Sequence, residues 1–222
     1  MTGSVIGSGA KGGRWSVCLL SLLLCTPSQA ADIDVTRTLK GIEDRYNHVQ
    51  SLELSFAEIY TQQGRKRTER GELFLRKPGR MRWQYSTPAG KLVVSDGKFL
   101  YSYDPSDNRA EKMKLKETED LKAPLAFLLG KLNFENDFRS FKVEPDRENI
   151  FVTAVPKSDK MLYTEVTFLV SPDFVIHYLK VKGQDGSLLE YTFENEKKNP
   201  PVPDAMFRFA PPPGVEFVDS SQ

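Results

Sequence analysis

GELFLRKPGRMRWQYSTPAGKLVVSDGKFLYSYDP, residues 71–105, alternates like β-sheet and carries more aromatic surface than one sheet face needs. Turn chemistry breaks it three times, at Lys77-Pro78-Gly79, at Ser86-Thr87-Pro88 and at Asp96-Gly97, and the last is the dipeptide best suited to a two-residue hairpin turn. Between the turns, Met81-Arg82-Trp83-Gln84-Tyr85 is apolar at odd positions and polar at even ones. Successive side chains of a strand point to opposite faces, so Met81, Trp83 and Tyr85 share one face while Arg82 and Gln84 share another, expected to be wet.

Working outward, Val35, Leu39, Ile42, Tyr46 and Val49 recur at spacings of 4, 3, 4 and 3, one stripe of an amphipathic helix with Asp32 or Asp34 available as its N-cap. Nearly everything after it reads as strand: 51–60, 69–76, 80–86, 91–95, 98–103 and 109–115, then 140–145, 149–156, 163–171, 174–183 and 187–196, about eleven in all. The connections are short and rich in Gly, Pro, Asp and Asn, which implies antiparallel neighbours. The exception is 120–138, where Leu121, Leu125, Leu128 and Leu129 fall at helical spacing with Pro124 in the first turn. So many strands in one sheet must curl or close. The expected fold is mainly β: a curved antiparallel sheet forming an incompletely closed barrel, with the two helical segments as a lid over a hydrophobic cavity. The tail, 200–213, holds six of the fourteen prolines and is expected to strap the barrel edge.

The N-terminus runs from Lys11 and Arg14 through the apolar segment Trp15 to Cys25 to Ser28-Gln29-Ala30, the order of a secretory signal peptide, whose core is shorter than the roughly 20 residues a spanning helix needs. Residues 1–30 are therefore read as a cleaved signal and 31–222 as one domain. Both cysteines, Cys18 and Cys25, lie in the removed part, and the formal net charge of +1 becomes −1 once Lys11 and Arg14 go. Leu22-Leu23-Leu24-Cys25 also resembles a lipidation box, with Leu24 where a small residue is usual, so lipidation of Cys25 stays open. A near-neutral surface lacks the basic face that nucleic-acid binding draws on. The clusters Arg65-Lys66-Arg67 and Glu194 to Lys198 read as solvated turns.

Catalytic patterns are missing. His48 and His177 have no nucleophile, carboxylate or second histidine at a triad or metal spacing, and Ser95-Asp96-Gly97 reads as a turn rather than a nucleophile elbow. The chain does not read as an enzyme, and no cofactor or metal is expected. What remains is apolar surface: Leu52, Leu54 and Phe56 on one strand, Leu73 and Leu75 on the next, then Met81, Trp83, Tyr85, Val93, Phe99 and Tyr101. Pattern alone leaves open whether these fill a core or line a cavity.

The strings KPGRMRW and LVVSDGKFLYSYDP, with the strand opening Ser51-Leu-Glu-Leu-Ser-Phe-Ala-Glu, the segment Ala123-Pro-Leu-Ala-Phe-Leu-Leu and the tail Phe207-Arg-Phe-Ala-Pro-Pro-Pro-Gly-Val215, occur in one order over nearly the whole mature chain. In this the chain resembles the periplasmic carriers of outer-membrane lipoproteins, the LolA-type family. The resemblance implies a half-barrel with a helical lid and moves the eleven apolar residues towards cavity lining. Leu39, Ile42, Leu125, Leu128 and Leu129 would then face the cavity from the lid. Relatives hold the lid shut through an arginine just before the first turn's proline, bonded to lid carbonyls. Lys77 stands there, without the arginine's planar fork. The implied partners are acylated lipoproteins, an inner-membrane ABC-type release complex and an outer-membrane receptor, and the carrier itself is expected to be a periplasmic monomer. A lipid-sensing regulator, a lipidated receptor or a free lipid or glycolipid carrier on the same fold are the alternatives. Such sensors usually carry a second domain, for which the mature length leaves no room.

Overall fold

Asp34 starts the first described element. Its carboxylate accepts the Arg37 N–H at 3.0 Å and caps α1 (Val35–Asn47), which buries Leu39, Ile42 and Tyr46 along the expected stripe. The computed structural model describes residues 34–115 and 132–221, together with residues 1–4, 7 and 9. The chain divides into two units, 1–32 and 33–222, and every element named below belongs to the second. The expected lid residues Leu125, Leu128 and Leu129 lie outside the described residues, as do Cys18 and Cys25.

After α1 come six strands in sequence: β1 (Ser51–Gln62), β2 (Arg65–Arg76), β3 (Arg80–Thr87), β4 (Leu92–Asp96), β5 (Phe99–Asp104) and β6 (Arg109–Lys114). A single turn of helix, α2 (Phe134–Asp137), leads into β7 (Phe138–Asp146), β8 (Asn149–Pro156), β9 (Tyr163–Val170), β10 (Ile176–Gly183) and β11 (Leu188–Lys198). A short 3-10 turn (Asp204–Phe207) and β12 (Glu216–Asp219) end the chain. All twelve strands form one sheet in the order β12-β6-β5-β4-β3-β2-β1-β11-β10-β9-β8-β7. Two antiparallel meanders, β1 to β6 and β7 to β11, therefore meet where β1 pairs with β11, and β12 and β7 are the two edges of a curved sheet that does not close.

The expected alternation holds, and it sorts the sheet into an inner and an outer face. On the inner face one core runs from α1 across both meanders, including Leu54, Leu73, Trp83, Val152, Phe168, Leu179 and Phe193. At the turn after β4 the Asp96 carboxylate accepts the N–H groups of Lys98 and Phe99 at 2.7 and 2.8 Å, while Gly97 takes a positive φ of 100°, as hairpin geometry demands.

The curved, unclosed sheet is as expected; among the described residues it has twelve strands, one more than the sequence ranges, because Glu216–Asp219 pairs in parallel with β6, a pairing too short to show as a period in sequence. Three expectations need correcting. The prolines 200–213 cross the outer face, and it is β12 that covers the edge. Arg76 donates to Val202 O at 2.7 Å and to Asp204, Arg82 donates to Met206 O at 3.1 Å, and Phe209 stacks on Tyr101. The face of Arg82 is thus covered in part rather than wet, with Val202 and Phe207 buried against it. Lastly, Arg65-Lys66-Arg67 and Glu194 to Lys198 are strand ends of β2 and β11, solvated but paired, because these two strands outrun the apolar pattern used to bound them.

Candidate functional site

Cross-strand register builds the inner face of the first meander row by row. One row is Leu52, Leu75, Met81, Ser95, Leu100 and Met113, and the next is Leu54, Leu73, Trp83, Val93 and Ser102. A third joins Phe193, Phe56, Gly71 and Tyr85. Gly71 is needed there: a Cβ would lie 2.2 Å from Gln84 O and 2.9 Å from the Phe56 ring, so a side chain would force the β3 backbone away from β2 as well as crowd Phe56. Phe56 meets Trp83 and Tyr85 edge-on, with centroids 4.8 and 5.2 Å apart, and Trp83 leans on Tyr191, which stacks on Phe193.

Nine of the eleven apolar residues singled out from sequence share this face: Leu52, Leu54, Phe56, Leu73, Leu75, Met81, Trp83, Tyr85 and Val93. Phe99 and Tyr101 do not. Ser95 pairs with Leu100 and Val94 with Tyr101, so the Gly97-Lys98 turn hands the inner face to Leu100 and leaves Phe99 and Tyr101 outside, under Lys112 and Phe209. Counting by twos from Ser95 leads to Phe99 and Tyr101, the parity that aromatic content also favours; the turn shifts it by one residue, so that Leu100 pairs with Ser95. Met113, Tyr191 and Phe193 were also missed, though each follows from the same alternation carried into β6 and β11.

Beyond Phe56 the face turns polar. Glu58 and Glu69 sit opposite one another on β1 and β2, only 6% and 2% exposed. Glu69 holds Lys91 at 2.5 Å and Arg67 at 3.0 Å, and Lys91 Nζ also lies 4.5 Å from the Tyr85 ring centre. Glu58 is hydrogen-bonded with the Tyr191 hydroxyl, and burial, then the charge of Glu69, pushes its carboxyl above the ordinary glutamate range. Burial likewise pushes the Tyr191 hydroxyl well up, aided by Glu58. The sequence carried a signal for this pair: Glu58 continues the inner-face parity of Leu52, Leu54 and Phe56.

At the other end of these strands α1 covers the face, bound from three sides. Tyr46 donates its hydroxyl to Glu196 at 2.9 Å and accepts Ile176 N–H at 2.9 Å, while Arg45 pairs with Glu196 at 2.7 Å. Asn47 makes reciprocal bonds with the backbone of Leu132, and Glu43 accepts Phe134 N–H at 2.7 Å. Lys77 closes the third side, its Nζ donating to Tyr46 O at 2.6 Å and Asn47 O at 3.3 Å, the last carbonyls of the helix. Burial lowers the Lys77 pKa. Leu39 and Ile42 point into the same core. His48 ends α1 with Nδ1 2.7 Å from Asp44 O, and His177 lies exposed on β10.

Known proteins resemble this chain in sequence and in fold. An outer-membrane lipoprotein carrier protein of Edwardsiella ictaluri is 32% identical over 188 residues, 82% of this chain and 87% of the relative. The carrier of Sodalis glossinidius is 30% identical over 207 residues, 92% of this chain and 96% of its own length. In fold, the chain is similar to the crystal structure of MucB, with a TM-score of 0.51 and 13% identity over 85% of this chain and 66% of that one. An uncharacterised conserved protein of Thermus thermophilus gives a TM-score of 0.50 at 10% identity, covering 83% of this chain and 98% of that one. The family described as outer membrane lipoprotein carrier protein LolA matches residues 47–210, and the chain belongs to that family.

Proposed function

We propose that the protein is a periplasmic carrier that takes the acyl chains of lipoproteins released from the inner membrane onto its inner face and delivers them to the outer membrane. The observation that carries the reading is the aromatic and aliphatic face of Met81, Trp83, Phe56 and Tyr85, set in an unclosed sheet with α1 across one end. LolA-type carriers are periplasmic, and residues 1–30 would be removed on export to leave 31–222. An ABC-type release complex would load the carrier and a receptor at the outer membrane would unload it.

The energetics suit such a hand-over. Each buried methylene is worth about 0.8 kcal/mol, so one fully sheathed acyl chain would bring on the order of 10 kcal/mol. Sheathing several chains completely would trap them; an incomplete barrel covers enough to keep the cargo in solution and leaves the rest for a tighter-binding acceptor. Lys77 would act as the latch, because two hydrogen bonds to carbonyls can break when cargo lifts α1. Leu125, Leu128 and Leu129 would complete the lid.

Native mass spectrometry tests this directly. Residues 31–222 should release a purified triacylated lipoprotein from membranes as a soluble one-to-one complex, and Met81→Glu, which puts a charge in the middle of the apolar face, should fail to form it while keeping the sheet's circular dichroism. A protein that returns carrying free phospholipid or glycolipid and no lipoprotein would move the assignment to a lipid carrier on the same fold.

A further inference from the structure

The C-terminal strap and the inner-face latch lie on opposite faces of the sheet, yet they start from neighbouring residues. Arg76, the last residue of β2, points outward, donates to Val202 O and Asp204, and lies 5.2 Å from the Phe207 ring centre. Arg80 adds a second bond to Asp204 at 3.0 Å. Lys77, one peptide further on, reaches inward to the final carbonyls of α1. The backbone repeats the connection. Lys77 N–H donates to Gln50 O at 2.9 Å, and Gln50 N–H donates to the Asn199 side chain at 2.8 Å. Asn199 N–H donates to Ser51 O at 2.8 Å, and Ser51 Oγ donates to Pro200 O at 2.7 Å.

The short linker between α1 and β1 is therefore clipped between the latch residue and the root of the strap. The strap leaves that root as Pro200-Pro201-Val202-Pro203, a stretch whose prolines fix φ and resist bending. Displacing its far anchor at Asp204 would turn a stiff arm about Asn199 and pull on Arg76 in the same movement. Asp204 is accessible, its side chain 65% exposed, as is Asn199 at the root, whereas Lys77 is half-buried.

We propose that the strap is a release handle: loosening it on the outer face frees α1 on the inner face through Arg76, Lys77 and Asn199, so that a partner protein can open the site without entering it. The use made of this coupling rests on the carrier reading; the coupling itself does not, and it is measured without cargo.

The test is amide hydrogen exchange on the purified protein. Asp204→Ala should speed exchange in the strap, residues 200–209, and also in the last turn of α1 and the linker, residues 44–50, by about fivefold or more, with β7 to β9 unchanged. Lys77→Ala should speed residues 44–50 alone, and adding Asp204→Ala to it should bring little further change there, since both act on one connection. Phe207→Ser removes the strap's buried anchor and serves as the second means of loosening it if the exposed Asp204 proves dispensable. A strap that exchanges faster while residues 44–50 stay as in the parent overturns the proposal. So do additive effects in the double variant, or an acceleration spread evenly through β7 to β9, which would be general loosening.

Discussion

Glu58 is the residue least expected on an inner face that Leu52, Leu54 and Phe56 otherwise line. Its side chain meets Glu69 across the β1–β2 pair and the Tyr191 hydroxyl from β11, with Tyr85, Lys91 and Arg67 around Glu69. Because its folded pKa is raised, the folded state holds the Glu58 proton more tightly than the unfolded chain does. Stability linked to this group is greatest below the ordinary glutamate range and falls as pH rises through the raised folded value. Gln at this position accepts the same hydrogen bond from Tyr191 and has no proton to lose. Urea unfolding of Glu58→Gln at pH 5 and pH 8 should show a variant that gains on the parent as pH rises. A constant difference between the two across that range would mean that Glu58 ionises as freely folded as unfolded.

At the scale of the elements, a single hairpin separates what the sequence made legible from what it concealed. From Ser51 to Val93 the apolar parity could be read straight through, since each turn there is bracketed by strands with clear alternation. In Phe99-Leu100-Tyr101-Ser102-Tyr103 both parities carry apolar or aromatic groups, and the larger ones lie on the outer face, where the strap's Phe209 stacks on Tyr101. A strand apolar on both sides has no sequence signal for its inner face; only the register set by the Gly97-Lys98 turn decides it. Lipoprotein binding measured by native mass spectrometry should thus be lost in Leu100→Asp and kept within about twofold in Tyr101→Ala, whose lost stack on Phe209 costs stability of about 1 kcal/mol. A strap could be read from the prolines, but its course over the outer face, like β12, was hidden for a related reason: both bind through tertiary partners, Arg76, Arg82 and the edge of β6, which no local period announces. The Lys77 contacts to α1 were foreseeable only through the family resemblance, because a turn lysine by itself reads as solvated.

At the scale of the whole molecule, the twelve strands among the described residues run from β12 to β7, and β12 is the chain's own cover for β6. The β6 edge is covered by its own tail, where Lys112 pairs with Asp219 at 2.9 Å and Ser220 N–H donates to Lys112 O at 2.8 Å. β12 adds little burial, with Phe217 42% exposed, so its worth lies in occupying backbone groups that another chain could use. A protein truncated after Gly214 should keep the strap and its fold, yet self-associate with rising concentration in light scattering. A truncated protein that stays monomeric at high concentration would show that β6 is guarded by something other than β12.

The seam between β1 and β11 reaches furthest into the protein's own history. Phe56 lies opposite Phe193 there, at the centre of the sheet, yet the two are separated by most of the chain. Polypeptides emerge N-terminus first, so the first meander is complete long before its neighbour at the seam exists. During that interval β1 is a bare strand edge, and Trp83, Phe56 and Tyr85 have no Tyr191 or Phe193 against them. Pairings this distant in sequence are also the slow ones. A newborn copy of this protein thus passes through a stage in which it has the same need for shelter as the greasy cargo proposed for it.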